Sequence, residues 1–291
     1  MPLKNWDVKI YRGVLTGFNE AFIIDTETKE KLCKEDPKSS EIIKPILRGR
    51  DIGRYYYKWA GMWLIFVPWH FPLHKDENIQ GASKKAEETF IKQYPVIYKH
   101  LEQFKESLSS RNKDETGIRY EWYALQRCAA TYYPEFEKEK IVYQEMTNKG
   151  SFAWDTNRIY VNQTCYIMTN TNKYILALLN SRIIHFYFSQ ISYALGIGAF
   201  RWIKQFVEQI PIPNISEIQR KPFIDIVDKI LAITKDPEGK PLASNGAGGD
   251  YLENPAKQTQ VRDYEKQIDQ LVYELYGLTD EEIKIVEGSR S

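Results

Sequence analysis

Cysteine is scarce in this chain of 291 residues, and the few that occur do not form a recognisable set. Cys33, Cys128 and Cys165 are odd in number, widely spaced and outside any CxxC pair. This distribution argues against a disulfide framework and favours a reducing compartment. We therefore expect the protein to be cytoplasmic.

Long apolar runs are also absent. The amino-terminal sequence MPLKNWDVKI has no apolar signal core, and the most apolar stretch, Ile183–Phe188, is interrupted by His185. A helix that spans a bilayer needs about 20 apolar residues. We expect no membrane segment.

Motifs for catalysis, cofactors and metals are missing as well. His70 and His74 are separated by Pro72 and have no nearby cysteine to complete a zinc set. The glycine cluster at 246–249 follows no predicted strand and lacks the Lys-Ser/Thr of a phosphate-binding loop, so it predicts a flexible loop. The chain has neither an Asn/Asp-Pro-Pro-aromatic motif nor a glycine-rich loop for S-adenosylmethionine. We expect no catalytic, cofactor-binding or metal-binding residue here.

Net charge is close to balanced, but the charges are unevenly distributed. The chain carries +1 overall, with a pI near 7.6. The segment 262–287 holds three cations and eight anions, a net charge of −5, which leaves +6 on the rest. This distribution is typical of a protein whose basic region contacts nucleic acid and whose acidic segment contacts protein or water.

The most basic stretch is 44–58, KPILRGRDIGRYYYK, which holds five cations and one anion. Guanidinium groups match phosphate and the O6/N7 edge of guanine, so Arg48, Arg50 and Arg54 are candidate DNA contacts. The tyrosines at 55–57 would then stack on bases or line a groove. Alternatively, the segment is a solvated edge strand whose alternate tyrosines lie in the core.

Two further segments combine basic and aromatic residues. The first contains Arg111, Arg119 and Arg127, which are candidate base or phosphate contacts, although its aromatics are equally consistent with a buried helix face. The second, ALGIGAFRW, is followed by Lys204 and offers Arg201 and Lys204 as contacts. A tight turn with a packed tryptophan explains the second segment equally well.

Some segments alternate apolar and polar residues, which is typical of strands, and others repeat apolar residues about every 3.6 positions, which is typical of helices. Together these patterns predict an α+β fold. Residues 8–25 alternate around a glycine and predict a hairpin, and further strands are expected at 62–68, 140–146 and 158–168. Helical stripes follow Pro95 and Asn172.

The sequence QIPIPN at 209–214 predicts the end of a sheet-bearing domain, because its prolines hold the chain extended. We expect a recognition domain at 1–214 and a helical hairpin at 215–291, with a flexible loop at about 235–257. Gly277 is expected to end the last long helix, and Thr279 with Glu282 to form a capping box.

Seven motifs in order resemble one family: GVLTGFNEAFIID, EIIKPILRGRDIGRY, YPVIYKHLEQFKESLSSR, YEWYALQR, KIVYQEM, LALLNSRIIHFYF and FVEQIPIP. Together with IDQLVYELYGLTDEEIKIV they are similar to the carboxy-terminal target-recognition region of Type IIG restriction-modification enzymes, of the TaqI-like and Eco57I-like kind. The resemblance extends from near residue 8 to near residue 286.

The resemblance implies a module that recognises a specific sequence in double-stranded DNA. In that family the module follows an adenine-N6 methyltransferase domain, often with a nuclease, and this sequence lacks both. We therefore expect a fragment or a separately encoded subunit that is not an enzyme by itself. Methyltransferase and nuclease domains would be its partners, and S-adenosylmethionine and Mg²⁺ would bind only there.

Specificity is expected in segments that differ between relatives, such as 70–82, 111–119 and 147–158. The closing helices would contact a neighbouring domain. The alternatives are a protein-interaction scaffold, or a Type I-like specificity subunit that needs partner subunits to bind DNA.

Overall fold

Three sheets and a set of packed helices make up the described part of the chain. The structure is a computed structural model that describes residues 1–128, 131–195, 198–234 and 251–288. The strands are β1 Lys9–Arg12, β2 Ile23–Ile24, β3 Ile43–Leu47, β4 Trp63–Ile65, β5 Lys140–Gln144, β6 Met146–Thr147, β7 Phe152–Asp155, β8 Tyr160–Val161, β9 Cys165–Thr169, β10 Ala194–Leu195 and β11 Ala199–Arg201. The helices are α1 Asn19–Phe22, α2 Thr26–Glu35, α3 Lys84–Gln93, α4 Pro95–Glu102, α5 Lys105–Ser110, α6 Lys173–Leu179, α7 Arg182–Ile191, α8 Lys204–Val207, α9 Glu217–Thr234, α10 Pro255–Tyr276 and α11 Asp280–Gly288.

A central antiparallel sheet with the order β1-β9-β5-β7 separates two hydrophobic cores. Successive side chains of a strand point to opposite faces. Val142 and Ile167 accordingly face the first core, whereas Ile141 and Met168 face the second. The presence of apolar residues on both faces explains why β7 and β9 are buried throughout.

The first core lies between the central sheet and a mixed sheet with the order β2-β4-β3-β8, in which β3 and β8 are parallel. Helices α1 to α5 contribute apolar side chains to it, including Phe22, Phe90 and Leu101. Pro95 stands at the first turn of α4, as the sequence predicts.

The second core joins the central sheet to the later helices. Tyr174 of α6 contacts Phe223 of α9 at a ring distance of 5.3 Å, and Val272 of α10 is fully buried in the same core. The predicted helix ends are confirmed. Asn172 accepts the N–H of Ile175, Gly277 adopts a left-handed φ of 69°, and Thr279 and Glu282 form the capping box.

A small sheet with the order β10-β11-β6 lies at one end of the second core. Trp202 follows β11 and stacks on Phe188 of α7 with ring centroids 3.6 Å apart. Its side chain is fully buried, so the packed-tryptophan interpretation of this segment is the one that the structure shows.

The α+β prediction is confirmed, but several local predictions need correction. The strand expected at 158–168 is two strands, β8 and β9, which belong to different sheets. The predicted hairpin at 8–25 is wrong, because β1 and β2 belong to different sheets with α1 before β2. The single helix predicted after Asn172 is two helices, α6 and α7, because the helix is interrupted at residues 180–181. The loop predicted at about 235–257 is too long at its end, because α10 already begins at Pro255. Residues 235–250 of the predicted loop, which include the glycine cluster, lie outside the described residues.

A domain boundary at residue 214 stays a prediction. The last strand, β11, ends at Arg201, and α9 begins at Glu217, three residues after the predicted boundary. However, α9 and α10 bury their apolar faces in the second core together with α6 and the central sheet. The helices therefore complete a core that residues before 214 begin.

Candidate nucleic-acid interface

A cleft of about 430 Å³ opens where β1, β3, β5 and β8 end at the same edge of the fold. We call it the arginine cleft. Its lining consists mainly of cationic and amide side chains: Arg12, Arg48, Gly49, Arg50, Gln144, Glu145, Met146, Asn162, Gln163 and Thr164. These groups donate and accept hydrogen bonds in the geometries that phosphates and base edges require.

Hydrogen bonds from main-chain N–H groups hold the cleft walls together. The N–H of Asn162 donates to the carbonyl of Leu47 at 3.0 Å, and the Oγ1 of Thr164 accepts the N–H of Gly49 at 3.0 Å. The chain also passes very close at Gly13, where an added Cβ would lie 2.1 Å from the carbonyl oxygen of Asn162. Only glycine fits there, so the end of β1 and the 162–164 loop have a fixed relative position.

Arg48 directly precedes a short 3-10 helix, Gly49–Asp51, and Arg50 lies within it. Both ends of the Arg48 guanidinium bind the carboxylate of Asp51, at 2.8 and 3.0 Å, and this hydrogen bond raises the pKa of Arg48. Arg50 is exposed and forms no hydrogen bond or ion pair with any residue that the structure describes. It is therefore ready to bind an external acceptor.

Glu145 connects two more arginines at the cleft. One carboxylate oxygen accepts from Arg12 at 2.6 Å and the other from Arg201 at 2.6 Å. The Glu145 side chain is only 6% exposed, while those of Arg12 and Arg201 are 40% and 44% exposed. The hydrogen bond that Arg201 donates to Glu145 raises the pKa of Arg201. The cleft lining carries three guanidinium groups and the carboxylate of Glu145. Together with the paired groups Arg201 and Asp51, this makes four positive and two negative charges, a net charge of +2.

The remaining predicted contacts do not line the cleft. Arg127 is exposed, and its carbonyl accepts the N–H of Leu15, three residues after the cleft residue Arg12, at 3.0 Å. Burial raises the pKa of Tyr132, and the charges of Arg127 and Arg12 oppose that increase.

Arg54 points away from the cleft and pairs with Glu265 of α10 at 3.2 Å. The reason is a chain reversal, in which the N–H of Gly53 donates to the carbonyl of Tyr56 and Ile52 pairs with Tyr57. The basic run 44–58 is therefore divided between the cleft and the carboxy-terminal helices.

Arg111 is committed to the interior. Its guanidinium donates to the carbonyls of Thr16, Trp122 and Ala124, and burial lowers its pKa to about 10. Both terminal nitrogens are used by the fold, so we do not include this residue among the DNA contacts.

Arg119 and Lys204 are exposed but have local partners. Arg119 binds Glu115 at 2.9 Å and lies over the ring of Trp69 at 5.8 Å. Lys204 lies 3.5 Å from Glu208, one turn along α8. Surface pairs of this kind contribute little to stability, so both cations can exchange partners.

The aromatic side chains of the basic segments are mostly core. Tyr55 and Tyr57 are buried, which confirms the interpretation that the alternate tyrosines belong to the interior. Tyr57 donates to Asp155 at 2.8 Å, within a network that includes Lys140. Tyr120, Trp122 and Tyr123 are buried as well, so base stacking by these rings is not supported.

Sequence reasoning did not find Arg12, Gln144, Glu145 and Gln163. Arg12 lies alone at the end of a strand, and the other three belong to polar positions that surround strands in most proteins. Only the convergence of four strand ends brings them together. The predicted specificity segment 147–158 begins directly after the cleft residue Met146.

No group of three or more His, Cys, Asp or Glu side chains in the described ranges is arranged to hold a metal ion. Among those same residues, no helix combines the length and apolar character needed to cross a bilayer.

Comparisons with known proteins give a consistent result. The model of the TaqI-like C-terminal specificity domain family matches residues 44–212. A search of curated proteins finds the Type II methyltransferase M.MjaIV of Methanocaldococcus jannaschii, which is 23% identical over 256 residues, or 86% of this chain and 76% of the methyltransferase.

One solved structure, that of MmeI, shows the same fold. The Type IIL restriction-modification enzyme MmeI in complex with DNA aligns with a TM-score of 0.61 and 14% identity, covering 96% of this chain and 33% of MmeI. The Type IIG restriction endonuclease BpuSI aligns with a TM-score of 0.44 and 13% identity, covering 94% of this chain and 31% of BpuSI. The chain thus spans about one third of the length of these enzymes.

Proposed function

Because the chain belongs to the TaqI-like C-terminal specificity domain family, we propose that it recognises a specific sequence in double-stranded DNA for a restriction-modification enzyme. The arginine cleft is the proposed binding surface. The observation that carries this assignment is the exposed guanidinium of Arg50, which has no partner among the described residues, beside three arginines held by carboxylates.

The cleft offers two kinds of contact. Exposed guanidiniums neutralise phosphates and bind the guanine edge bidentately, whereas amides such as Gln144 and Gln163 match the adenine edge. The carboxylates of Asp51 and Glu145 already hold arginine side chains in place, so these side chains lose less conformational entropy when DNA binds. The fold therefore presents a partly preorganised cationic surface with both charge and hydrogen-bonding capacity.

Catalysis is proposed to come from other domains. An adenine-N6 methyltransferase would act on an adenine rotated out of the stack, and a nuclease would cut the DNA. S-adenosylmethionine and Mg²⁺ would bind in those domains. The length of MmeI beyond the region that this chain matches leaves room for such domains in that enzyme. We propose that the assembly works in the cytoplasm.

A selection experiment tests the proposal. The chain is incubated with a pool of random-sequence duplexes, the bound duplexes are amplified over several rounds, and a shared sequence is sought. We expect one to emerge, with affinity that falls steeply as salt rises, because bound Lys and Arg release counterions. Absence of duplex binding at low salt would contradict the proposal and would favour the protein-interaction scaffold.

The variant Arg50→Ala tests the role of the cleft itself. We expect a loss of about 1–3 kcal/mol on the selected duplex. The loss would be confined to one base position if Arg50 contacts a base edge, and uniform over sequences if it contacts a phosphate. Arg262→Ala is the matched control, because it removes the same charge from α10, and its binding should be unchanged. Equal binding by Arg50→Ala and the wild type would remove Arg50 from the interface.

A further inference from the structure

We infer that Glu145 is a positioning residue, whose carboxylate holds Arg12 and Arg201 in the orientation with which the arginine cleft meets DNA. This inference rests on the proposed function and deepens it. It assigns a role at a DNA-binding surface to an anion, a group that by charge alone would repel phosphate.

The carboxylate has no oxygen left for a base. Each oxygen accepts a guanidinium N–H at 2.6 Å, one from Arg12 and one from Arg201, and the side chain is 6% exposed. A carboxylate that reads DNA has to accept from a base such as cytosine, so it needs an exposed oxygen. Glu145 therefore acts through the arginines rather than on the DNA.

The main chain of Glu145 is fixed on both sides. Its N–H donates to the carbonyl of Thr164 at 2.8 Å, and its carbonyl accepts the N–H of Trp202 at 2.7 Å. The first bond connects it to the cleft loop, and the second connects it to the end of β11, next to the fully buried Trp202. The direction of the side chain is consequently set by the fold.

The two arginines come from distant parts of the chain and converge on this single anion. Arg12 ends β1 and also donates through Nε to the carbonyl of Gln163 at 3.0 Å, while Arg201 ends β11. A guanidinium has five N–H donors, and both side chains stay at least 40% exposed. Each arginine therefore keeps donors that face outwards after Glu145 has bound it.

Two effects of the carboxylate have opposite signs on DNA binding. Its charge weakens the general attraction of the cleft for phosphate. Its two hydrogen bonds fix long side chains that would otherwise lose rotamer freedom on binding, which favours the sequence that matches the fixed geometry. For the matching DNA sequence, the affinity gained from the fixed arginines must exceed the affinity lost to the negative charge. For all other sequences, the loss from the negative charge must be the larger effect.

The test uses the full chain, the duplex that the wild type selects from the random pool, and an unselected duplex of equal length. Glu145→Gln keeps the size of the side chain and removes its charge. We expect the affinity ratio, which is the affinity for the selected duplex divided by the affinity for the unselected duplex, to fall by about tenfold in this variant. This change is equivalent to the loss of one specific contact. Binding to the unselected duplex is expected to stay equal or to increase.

Two controls separate geometry from charge. Glu281→Gln removes the same charge from an exposed position on α11 and should leave the ratio unchanged. Glu145→Asp keeps the charge but is one methylene shorter, so it should lower the ratio without strengthening binding to the unselected duplex. If thermal unfolding shows that Glu145→Gln does not fold, Glu145→Asp still tests the role of Glu145.

Coupling to the arginines completes the test. Because Glu145 acts through Arg201, the effects of Glu145→Gln and Arg201→Ala on the ratio should not be additive. Additive effects, or an unchanged ratio in both Glu145 variants, would overturn the inference while leaving the proposed function intact. If the wild type selects no sequence, both the proposed function and this inference are overturned.

Discussion

At the scale of single residues, the arginines in the described part of the chain have several different environments. Arg50 is exposed without a partner in the described ranges, Arg12 and Arg201 share a buried carboxylate, Arg54 pairs with α10, and Arg111 donates to main-chain carbonyls in the interior. The sequence identifies guanidiniums but not their partners. This is why part of the predicted contact set converges on the cleft while Arg111 does not.

Another buried cation gives a prediction about stability. Lys140 is fully buried and binds Asp155, which also accepts from Tyr57. Burial lowers the pKa of Lys140, and the nearby charge of Asp155 opposes this. Lys140→Met would leave the carboxylate of Asp155 buried without its counter-charge, so we expect the free energy of unfolding to fall by about 3–5 kcal/mol.

Urea denaturation measures this change. Lys138→Met is the matched control, since Lys138 is exposed and pairs with Glu135 on the surface. Its effect should be within about 1 kcal/mol. Similar losses in the two variants would show that the Lys140–Asp155 pair is not the critical contact.

At the scale of elements, local signals predicted helices better than strand pairing. Caps such as Asn172 and Gly277 act within a few residues, so their chemistry is visible in the sequence. Pairing depends on distant partners: β1 pairs with β9, which begins more than 150 residues later. The alternation at 8–25 therefore suggested a hairpin that does not form.

The long helix α10 carries a carboxyl group that should make stability depend on pH. Burial raises the pKa of Asp269 to about 6, although Arg182 partly opposes the shift. The folded state therefore binds a proton more tightly than the unfolded state, whose pKa is near 3.8. This group's contribution is largest below pH 4 and decreases as pH rises towards 6.

The variant Asp269→Asn isolates that contribution. We expect the free energy of unfolding of the wild type, minus that of the variant, to fall by on the order of 3 kcal/mol between pH 4 and pH 7. Urea denaturation at several pH values measures it. A difference that stays constant, or rises, would show that Asp269 is not buried as described.

At the scale of the whole molecule, the sequence predicted the class of fold and the charge asymmetry. The acidic segment 262–287 lies on α10 and α11, and the arginine cleft lies at the strand ends of the sheet region. The cleft itself was not predicted as a unit. Its lining residues are spread from Arg12 to Thr164, with Arg201 bound to one of them, Glu145, and they meet only through the topology of the sheets.

The shared second core leads to a prediction about the boundary at residue 214. Removing residues 215–291 would expose the apolar surface that α9 and α10 cover, including the contacts of Phe223, Ile230 and Val272. Each such side chain contributes about 1.5–3 kcal/mol when buried. We expect the 1–214 fragment to lose its cooperative thermal transition, as followed by near-ultraviolet circular dichroism. A sharp transition at the temperature of the full chain would instead support an independent domain.

The central claim is that the arginine cleft is the surface that contacts DNA. A crystal structure of the chain with its selected duplex tests this most directly. The account predicts that the duplex lies across the carboxyl ends of β1, β3, β5 and β8, with Arg50 within hydrogen-bond distance of a phosphate or base. A duplex bound on another face, with Arg12, Arg50 and Arg201 all facing solvent, would contradict it.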